Sequence, residues 1–189
     1  MQKPLREIKS EDHTVWITQP SEVESLMKKR ETAFGVAKGK FAESNGNLEL
    51  VMQTAEAFGR GLFTEHIREK PETVRRWLES TTEQIFNPMG TGATFTKITD
   101  DEAESKMFRC LLHDDSDDPE MVSVFNYGFM RGMFLTAFPN GELLMKSSMA
   151  KGAPMTELTF KANANVVDKL ERQRVMNSFE VSKKFKEND

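Results

Sequence analysis

A chain of 189 residues is long enough to enclose one well-buried core and is short for two. Its net charge of −4 argues against nucleic acid as a partner, because such affinity comes from neutralising phosphates. The stretch Met1–Arg6 lacks the apolar run of a signal peptide, and no apolar run approaches the ~20 residues of a membrane-spanning helix. Together with a single cysteine, these features predict a cytoplasmic protein that binds neither membranes nor nucleic acid.

The chain divides into an arm and one domain. Residues 1–19 show little periodicity and are predicted to form an N-terminal arm, pinned to the body by Val15–Ile17. A single domain is expected over residues 20–189. Within it, residues 20–87 read as a helical layer, and residues 91–189 as a sheet with a buried helix and a closing helix.

Three helices are predicted in the helical layer. Ser21 and Glu24 form a capping box at the start of the first helix, and Asn45–Gly46 supplies the left-handed turn that ends it. Asn47 can cap the second helix, and Pro71 suits the first turn of the third. The buried stripes are predicted from three- and four-residue spacing. They include Leu48, Val51, Met52, Ala55, Leu62 and His66 on the second helix, and Val74, Trp77, Leu78, Thr81 and Ile85 on the third.

Two glycines lie inside the second predicted helix. Gly59 and Gly61 each lower helix stability by roughly 1 kcal/mol. They are tolerable where another backbone packs closely against them.

After the break at residues 87–92, the spacing of the apolar residues changes from the three- and four-residue steps of helices to the alternation of strands. The predicted elements are strands at 93–98 and 103–112, an all-round apolar helix starting at Asp118-Pro119, strands at 143–149 and 155–160, and a helix at 163–186. The last helix is mostly charged, and its scattered apolar contacts are predicted to be Val167, Leu170, Val175, Phe179 and Phe185. The sequence therefore predicts an α+β fold. An N-terminal helical layer packs on an antiparallel sheet of about four strands, with a buried central helix and a C-terminal helix.

Cys110 and His113 are the candidate catalytic pair. Cys110 could act as a nucleophile, with His113 as the nearby base that lowers its pKa. In a regular strand, however, residues three apart point to opposite faces, so the pair meets only if the strand ends before His113. The alternative is that Cys110 is a small buried hydrophobic residue.

The segment 113–118 is rich in carboxylates and admits two interpretations. Its oxygens could ligate a hard cation, although the spacing does not match a calcium loop. Zinc would require more histidine or cysteine than the segment offers. A solvated acidic turn that caps the next helix is favoured, so no metal and no cofactor are predicted.

Tyr127 and Arg131 are four residues apart and so share one face of the predicted buried helix. An arginine in such surroundings is costly unless it is paired. It could hold a structural carboxylate, or it could receive the carboxylate of a small ligand. His66 extends the apolar face of the second helix, where it could bind a ligand or simply interact with the helix dipole.

The stretch from about residue 55 to 162 resembles the L-2-amino-thiazoline-4-carboxylate hydrolases, and more distantly the 4-vinyl reductase type of ligand-binding domain. Three elements carry the resemblance: the strand Arg109–Leu112, the helix Phe129–Gly132 and the hairpin Lys151–Phe160. In that family the hairpin commonly has a Gly-Asp turn followed by a cysteine and an aromatic residue. Here Ala153 stands in place of the aspartate and Thr156 in place of the second cysteine.

The resemblance implies an α+β fold with a ligand pocket between helices and sheet. The first hypothesis is accordingly a small-molecule-binding or sensory domain, with Arg131, Tyr127, Thr156 and His66 as ligand-binding candidates. The alternative is a hydrolase acting on a cyclic carbon–nitrogen bond of a small carboxylate, provided that the missing thiol is dispensable. A second alternative is a non-catalytic assembly or accessory protein. A homodimer formed through the long N-terminal helices is compatible with either main hypothesis.

Overall fold

The structure of the chain is a computed structural model that describes residues 5–9, 14–18, 24–89, 93–107 and 118–186, with side chains at 26–89, 93–107 and 118–180. In these ranges it contains five α-helices and one antiparallel sheet. The predicted α+β architecture is therefore confirmed. The buried central helix and the C-terminal helix are both present.

Helices α1 and α2 span Glu24–Glu43 and Leu48–His66. Asn45 and Gly46 join them with φ values of 56° and 86°, which is the left-handed turn predicted from this dipeptide. Ser21, the predicted cap of α1, lies outside the described residues.

Caps define the starts of the next two helices. Asn47 accepts a hydrogen bond from the N–H of the second residue of α2, as predicted. Helix α3 spans Val74–Thr81 and continues as a π-helical segment over Thr82–Phe86. The expectation that Pro71 lies in the first turn of α3 is wrong, because the Thr73 side chain caps the helix two residues later.

The sheet has six strands in the order β1-β2-β3-β4-β6-β5, and all neighbouring strands are antiparallel. The four predicted strands correspond to β3–β6, and the N-terminal arm supplies β1 and β2, which the sequence did not predict. Beyond β4, residues 108–117 lie outside the described ranges, so the predicted extension of that strand to Leu112 stays a prediction. The strands are β1 Leu5–Lys9, β2 Thr14–Thr18, β3 Thr94–Thr96, β4 Glu102–Met107, β5 Glu142–Ser147 and β6 Thr156–Lys161.

The two faces of the sheet differ in chemistry. The face toward the helices is largely apolar, because it contains the buried residues Ala103, Leu158 and Phe160 at alternate positions of β4 and β6. On the other face Glu104 lies between two lysines, with Lys146 Nζ at 2.5 Å and Lys97 Nζ at 3.1 Å. Such one-sided burial is typical of an antiparallel sheet with one face in water.

Helix α4 spans Pro119–Ala137 and is the predicted buried helix. Asp118 caps it by accepting hydrogen bonds from two backbone N–H groups of the first turn at 2.9 and 3.1 Å. Buried residues occur on every side of α4, because it lies against α2 and also contacts β5 and α1.

Glycines let α2 and α4 approach closely. A Cβ on Gly59 would lie 2.1 Å from the carbonyl oxygen of Phe129, and one on Gly132 would lie 2.2 Å from that of Glu56. Neither position can therefore hold a larger residue without moving a helix. Another backbone therefore packs closely against Gly59, as expected for a glycine inside a helix, whereas a Cβ on Gly61 would have no neighbour within 4 Å.

Helix α5 spans Glu171–Lys186 and is shorter than the predicted helix at 163–186. Before it, Asn165 and Asp168 exchange hydrogen bonds between side chains and backbone N–H groups. A short 3₁₀ turn at Asp168–Leu170 follows. These local bonds compete with regular helix, which is why α5 begins late.

The apolar residues of the predicted closing helix have two different fates. Val175 and Phe179 are buried, as predicted. Val167 and Leu170 are 75% and 63% exposed, so the prediction that they form core contacts is wrong. They lie before α5, where the late helix start turns them toward solvent.

Strand β5 lies at one edge of the sheet, and the outer backbone groups of two of its residues are bonded to side chains. Leu143 and Met145 each have an N–H and a C=O that bond to side chains at 2.7–2.9 Å. This removes the unpaired edge that would otherwise attract another strand. The capping side chains are Glu142 and Tyr127 at Leu143, and Glu171 and Arg174 at Met145.

Candidate functional site

Arg131, a predicted ligand-binding residue, is paired within the protein. Its Nε and Nη2 donate to the two carboxylate oxygens of Glu142 at 2.7 and 2.9 Å, and Nη1 donates to Glu56 Oε1 at 2.7 Å. Of the two alternatives left open for Arg131, the structure contains the one with structural carboxylates. Such two-point pairing gives a guanidinium a fixed orientation.

The ion pairs of Arg131 belong to a longer chain of charges. Arg172 binds the same Glu56 carboxylate at 3.0 Å and Glu49 at 2.6 Å. Its hydrogen bond holds the pKa of Glu49 below the ordinary value, against the opposing effect of burial. Burial disfavours the cation of Arg131, but the hydrogen bonds and charge of Glu142 outweigh it and raise the pKa of Arg131. The network joins α2, α4, α5 and β5.

Tyr127 is also engaged. Its hydroxyl donates to the carbonyl oxygen of Leu143 at 2.8 Å, and the side chain is 1% exposed. Burial raises the pKa of this phenol well above its usual range. Tyr127 is therefore a neutral donor that positions α4 against β5.

Thr156 is the first residue of β6, at the end of the sheet where β4 ends. It stands directly opposite Met107, three residues before Cys110, in the β4–β6 ladder. Its Oγ1 accepts a hydrogen bond from the N–H of Met149 at 3.2 Å. Thr156 thus holds the short turn that follows β5.

His66 is at the C-terminal end of α2. Its Nε2 is buried with no hydrogen bond, and the nearest carboxylate oxygen, on Glu65, is 3.9 Å away. That carboxylate pairs with Lys29 Nζ at 2.5 Å. A ligand role for His66 stays a prediction.

Cys110, His113 and the acidic segment 113–117 lie outside the described residues. The predicted catalytic pair and the predicted solvated turn therefore stay predictions. Within the described ranges, no group of three or more His, Asp or Glu side chains is arranged to hold a metal ion. No helix in those ranges has both the length and the apolar character needed to cross a membrane.

An aromatic cluster fills the space between α3, α4 and the sheet. Trp77 contacts three phenylalanine rings with centroid distances of 5.1–6.1 Å, and the remaining contacts between the rings are 5.2–6.3 Å. All five side chains are fully buried. We call this set the ring cluster; it consists of Trp77, Phe86, Phe95, Phe134 and Phe160.

Three polar atoms, on one residue of the ring cluster and on two residues next to it in the fold, have no hydrogen-bond partner in the described part of the chain. They are Trp77 Nε1, Thr82 Oγ1 and Ser105 Oγ, each on a residue that is 0% exposed. Thr82 lies in the same π-helical segment as Phe86, and Ser105 is directly opposite Phe95 in the β3–β4 ladder. We call them the three inward polar groups.

The neighbouring threonine shows that this arrangement is not a general property of the helix. Thr81 Oγ1 donates to the Trp77 carbonyl at 2.6 Å, which is the usual bond of a buried helical threonine. Thr82, where the helix changes from α to π, makes no such bond. Segments of π-helix are frequent at functional sites.

Sequence reasoning assigned Trp77 only to a core stripe and did not single out Thr82 or Ser105. One signal was available, since Ser105 occupies an inward position of a strand whose outward positions are Glu104 and Lys106. A serine at an apolar position of a strand indicates either a partner or a site. The change to π-helix at Thr82 had no sequence signal.

Two clefts open on the described surface near Pro71, with volumes of about 610 and 590 Å³. Both include Lys70 and Glu72; the lining of the first is largely polar or charged, and that of the second is half apolar. None of the predicted ligand residues lines either of them.

Comparisons with known proteins add no relative: no family model, no curated protein and no solved structure matches this chain.

Proposed function

We propose that this protein is a small-molecule-binding domain, of the ligand-binding or sensory type, whose ligand bonds to polar groups beside the ring cluster. The observation that carries the proposal is the set of three inward polar groups. An apolar, aromatic interior with a few convergent polar groups is the usual composition of a small-molecule site.

Buried polar atoms without a hydrogen-bond partner lower the free energy of unfolding. Each buried donor or acceptor without a partner destabilises a fold by roughly 1–3 kcal/mol. Three such groups would together lower stability by an amount comparable with the roughly 5–15 kcal/mol that holds a typical domain folded. A molecule that bonds to these groups would recover much of that free energy.

The residues predicted earlier then have a supporting role. Arg131 and Tyr127 fix α4 to β5 and α2, so they maintain the frame that contains Phe134. A cytoplasmic location and a homodimer stay predictions of the sequence. Light scattering of the purified protein tests the homodimer.

The first test is native mass spectrometry of freshly purified protein, where a retained molecule supports the proposal. The second is the rise in melting temperature caused by that molecule or, if none is retained, by indole and other small aromatic compounds. Finding neither a retained molecule nor a stabilising compound would contradict the proposal.

Three isosteric variants locate the site. Ser105→Ala and Thr82→Val remove an inward hydroxyl, so the free protein should be unchanged or more stable while the ligand-induced rise in melting temperature shrinks. Thr81→Val is the matched control, because its hydroxyl already has a partner in the protein. It should destabilise the free protein and leave the ligand-induced rise unchanged.

A further inference from the structure

The second of the two clefts near Pro71 lies at the C-terminal end of α4. Four separate segments line it, namely residues 70–72, Asp101, residues 137–140 and residues 162–163. Its volume of about 590 Å³ is within the range of small-molecule sites. We call it the α4-end cleft.

Backbone hydrogen bonds tie the walls of this cleft to one another. The N–H of Ala162 donates to the carbonyl of Asp101 at 2.8 Å. The N–H of Ala164 donates to the carbonyl of Asn140 at 3.0 Å. The turn that contains Asp101 is also bonded to the start of α3, at 2.7 Å. The walls are therefore preorganised, and a ligand would have little of the chain to order on binding.

The inner wall of the α4-end cleft is apolar. Ala137, Phe138 and Ala162 line it and are buried. The ring of Phe138 contacts that of Phe134 with a centroid distance of 5.0 Å, so this wall is backed by the ring cluster. It offers a fixed apolar surface to the body of a small molecule.

The rim of the α4-end cleft is mainly negative. Of the described residues that line it, Glu72 and Asp101 are carboxylates and Lys70 is the only cation. The side chain of Glu72 has no ion pair or hydrogen bond within the described part of the chain, and Asp101 accepts one hydrogen bond, from the neutral amide of Asn163 at 3.4 Å. Helix α4 ends here without a basic residue in its last turn, and a helix C-terminus carries a partial negative charge. The cleft therefore favours a cation over an anion.

We propose that the α4-end cleft binds a small organic ammonium ion, with its charge at the rim carboxylates and its apolar group against Phe138. An ammonium group has hydrogen-bond donors and no acceptor, so it suits a rim of carboxylates and helix-end carbonyls. This site is separate from the polar groups beside the ring cluster. The proposal does not depend on the proposed function.

Three compounds of similar size test the proposal on the intact protein. At pH 7, 2-phenylethylamine is a cation, 2-phenylethanol is its neutral analogue and 3-phenylpropanoate is an anion. In calorimetric titrations at low salt, the amine should bind roughly 5-fold more tightly than the alcohol, and the anion should give no measurable binding. Added salt should weaken binding of the amine and leave that of the alcohol nearly unchanged.

Single substitutions locate the site. Glu72→Gln and Asp101→Asn should each reduce the preference for the amine over the alcohol, because each removes one rim carboxylate. Lys70→Met should increase that preference, because it removes a like charge. Glu69→Gln is the matched control, since Glu69 is in the same loop but lines only the other cleft. It should leave the preference unchanged.

The results separate this proposal from the proposed function. Equal binding of the amine and the alcohol, preferred binding of the anion, failure of the amine to bind, or a preference that survives both carboxylate substitutions would overturn it. Ser105→Ala and Thr82→Val alter the site of the proposed function, so they should leave amine binding unchanged. Loss of amine binding in those two variants but not in Asp101→Asn would also overturn it, because the amine would then be bound at the other site.

Discussion

At the scale of single residues, Arg131 is a largely buried cation that pairs with two carboxylates. Its guanidinium bridges Glu142 on β5 and Glu56 on α2, and Glu142 is only 2% exposed. Removing one partner from a buried pair leaves an uncompensated charge, which is far more costly than never having built the pair.

We expect Arg131→Met to lower the free energy of unfolding by about 3–5 kcal/mol, because Glu142 would stay buried without a cation and Glu56 would keep only Arg172. Arg76→Met is the control, since Arg76 is 73% exposed and pairs only with Glu79 on the surface. It should change stability by less than about 0.5 kcal/mol. Urea denaturation measures both, and equal effects would contradict the interpretation.

The sequence predicted part of this arrangement. Arg131 lies in an otherwise apolar helix, so pairing was expected, and its spacing from Tyr127 placed both on one face. Its partners are 11 and 75 residues away in the chain. Such contacts arise from tertiary packing, and no local pattern encodes them. Thr82 was missed for the same reason, whereas Ser105 had a local signal in its inward position on β4.

At the scale of elements, the α2–α4 contact depends on residues that have no side chain. Gly59 lies against the carbonyl of Phe129, and Gly132 lies against that of Glu56. The backbone of each helix therefore packs directly against a glycine of the other. The closeness of this contact sets the position from which Arg131 reaches α2.

Two alanine substitutions on α2 should have opposite effects. Gly59→Ala should destabilise the protein by roughly 1–3 kcal/mol, because the new Cβ would overlap backbone atoms of α4. Gly61→Ala, two residues along the same helix, should stabilise it by roughly 0.5–1 kcal/mol through helix propensity alone. Thermal and urea unfolding check the pair. A stabilising Gly59→Ala would show that the helices do not pack as closely as described.

Elements with local signals were predicted well. The turn at Asn45–Gly46 and the caps Asn47 and Asp118 follow from backbone chemistry within a few residues. Strands β1 and β2 were not predicted, because residues 1–19 show little periodicity of their own. These short strands are defined by their pairing with other strands, such as Trp16 opposite Phe95.

At the scale of the whole molecule, carboxylates on opposite sides of the fold are each held by at least one cation. Glu104 on the outer face of the sheet accepts a hydrogen bond from Lys146, and Glu49 accepts one from Arg172. These bonds lower the pKa of each carboxyl below its ordinary value of 4.5, although burial acts in the opposite direction.

The sign of the pH dependence follows from those pKa shifts. A carboxyl whose pKa is lower in the folded state contributes stability above its unfolded pKa, and this stability is lost as pH falls through the folded pKa. The free energy of unfolding should therefore decrease on acidification from about pH 5 to about pH 3. Glu104→Gln and Lys146→Met should each make that decrease shallower in urea titrations. A slope unchanged in both variants would contradict the assignment.

The outer margin of β5 has a consequence for how this protein can join others. Since four side chains occupy its outward amides and carbonyls, a foreign strand could extend the sheet there only by displacing α5 and α4 contacts together. Strand-by-strand growth, the first step of many aggregates, is thus blocked on that flank while α5 stays docked. Ending the chain before Glu171 would remove both side chains that bond to the backbone of Met145. The N–H and C=O of Met145 would then be open to pairing with a foreign strand.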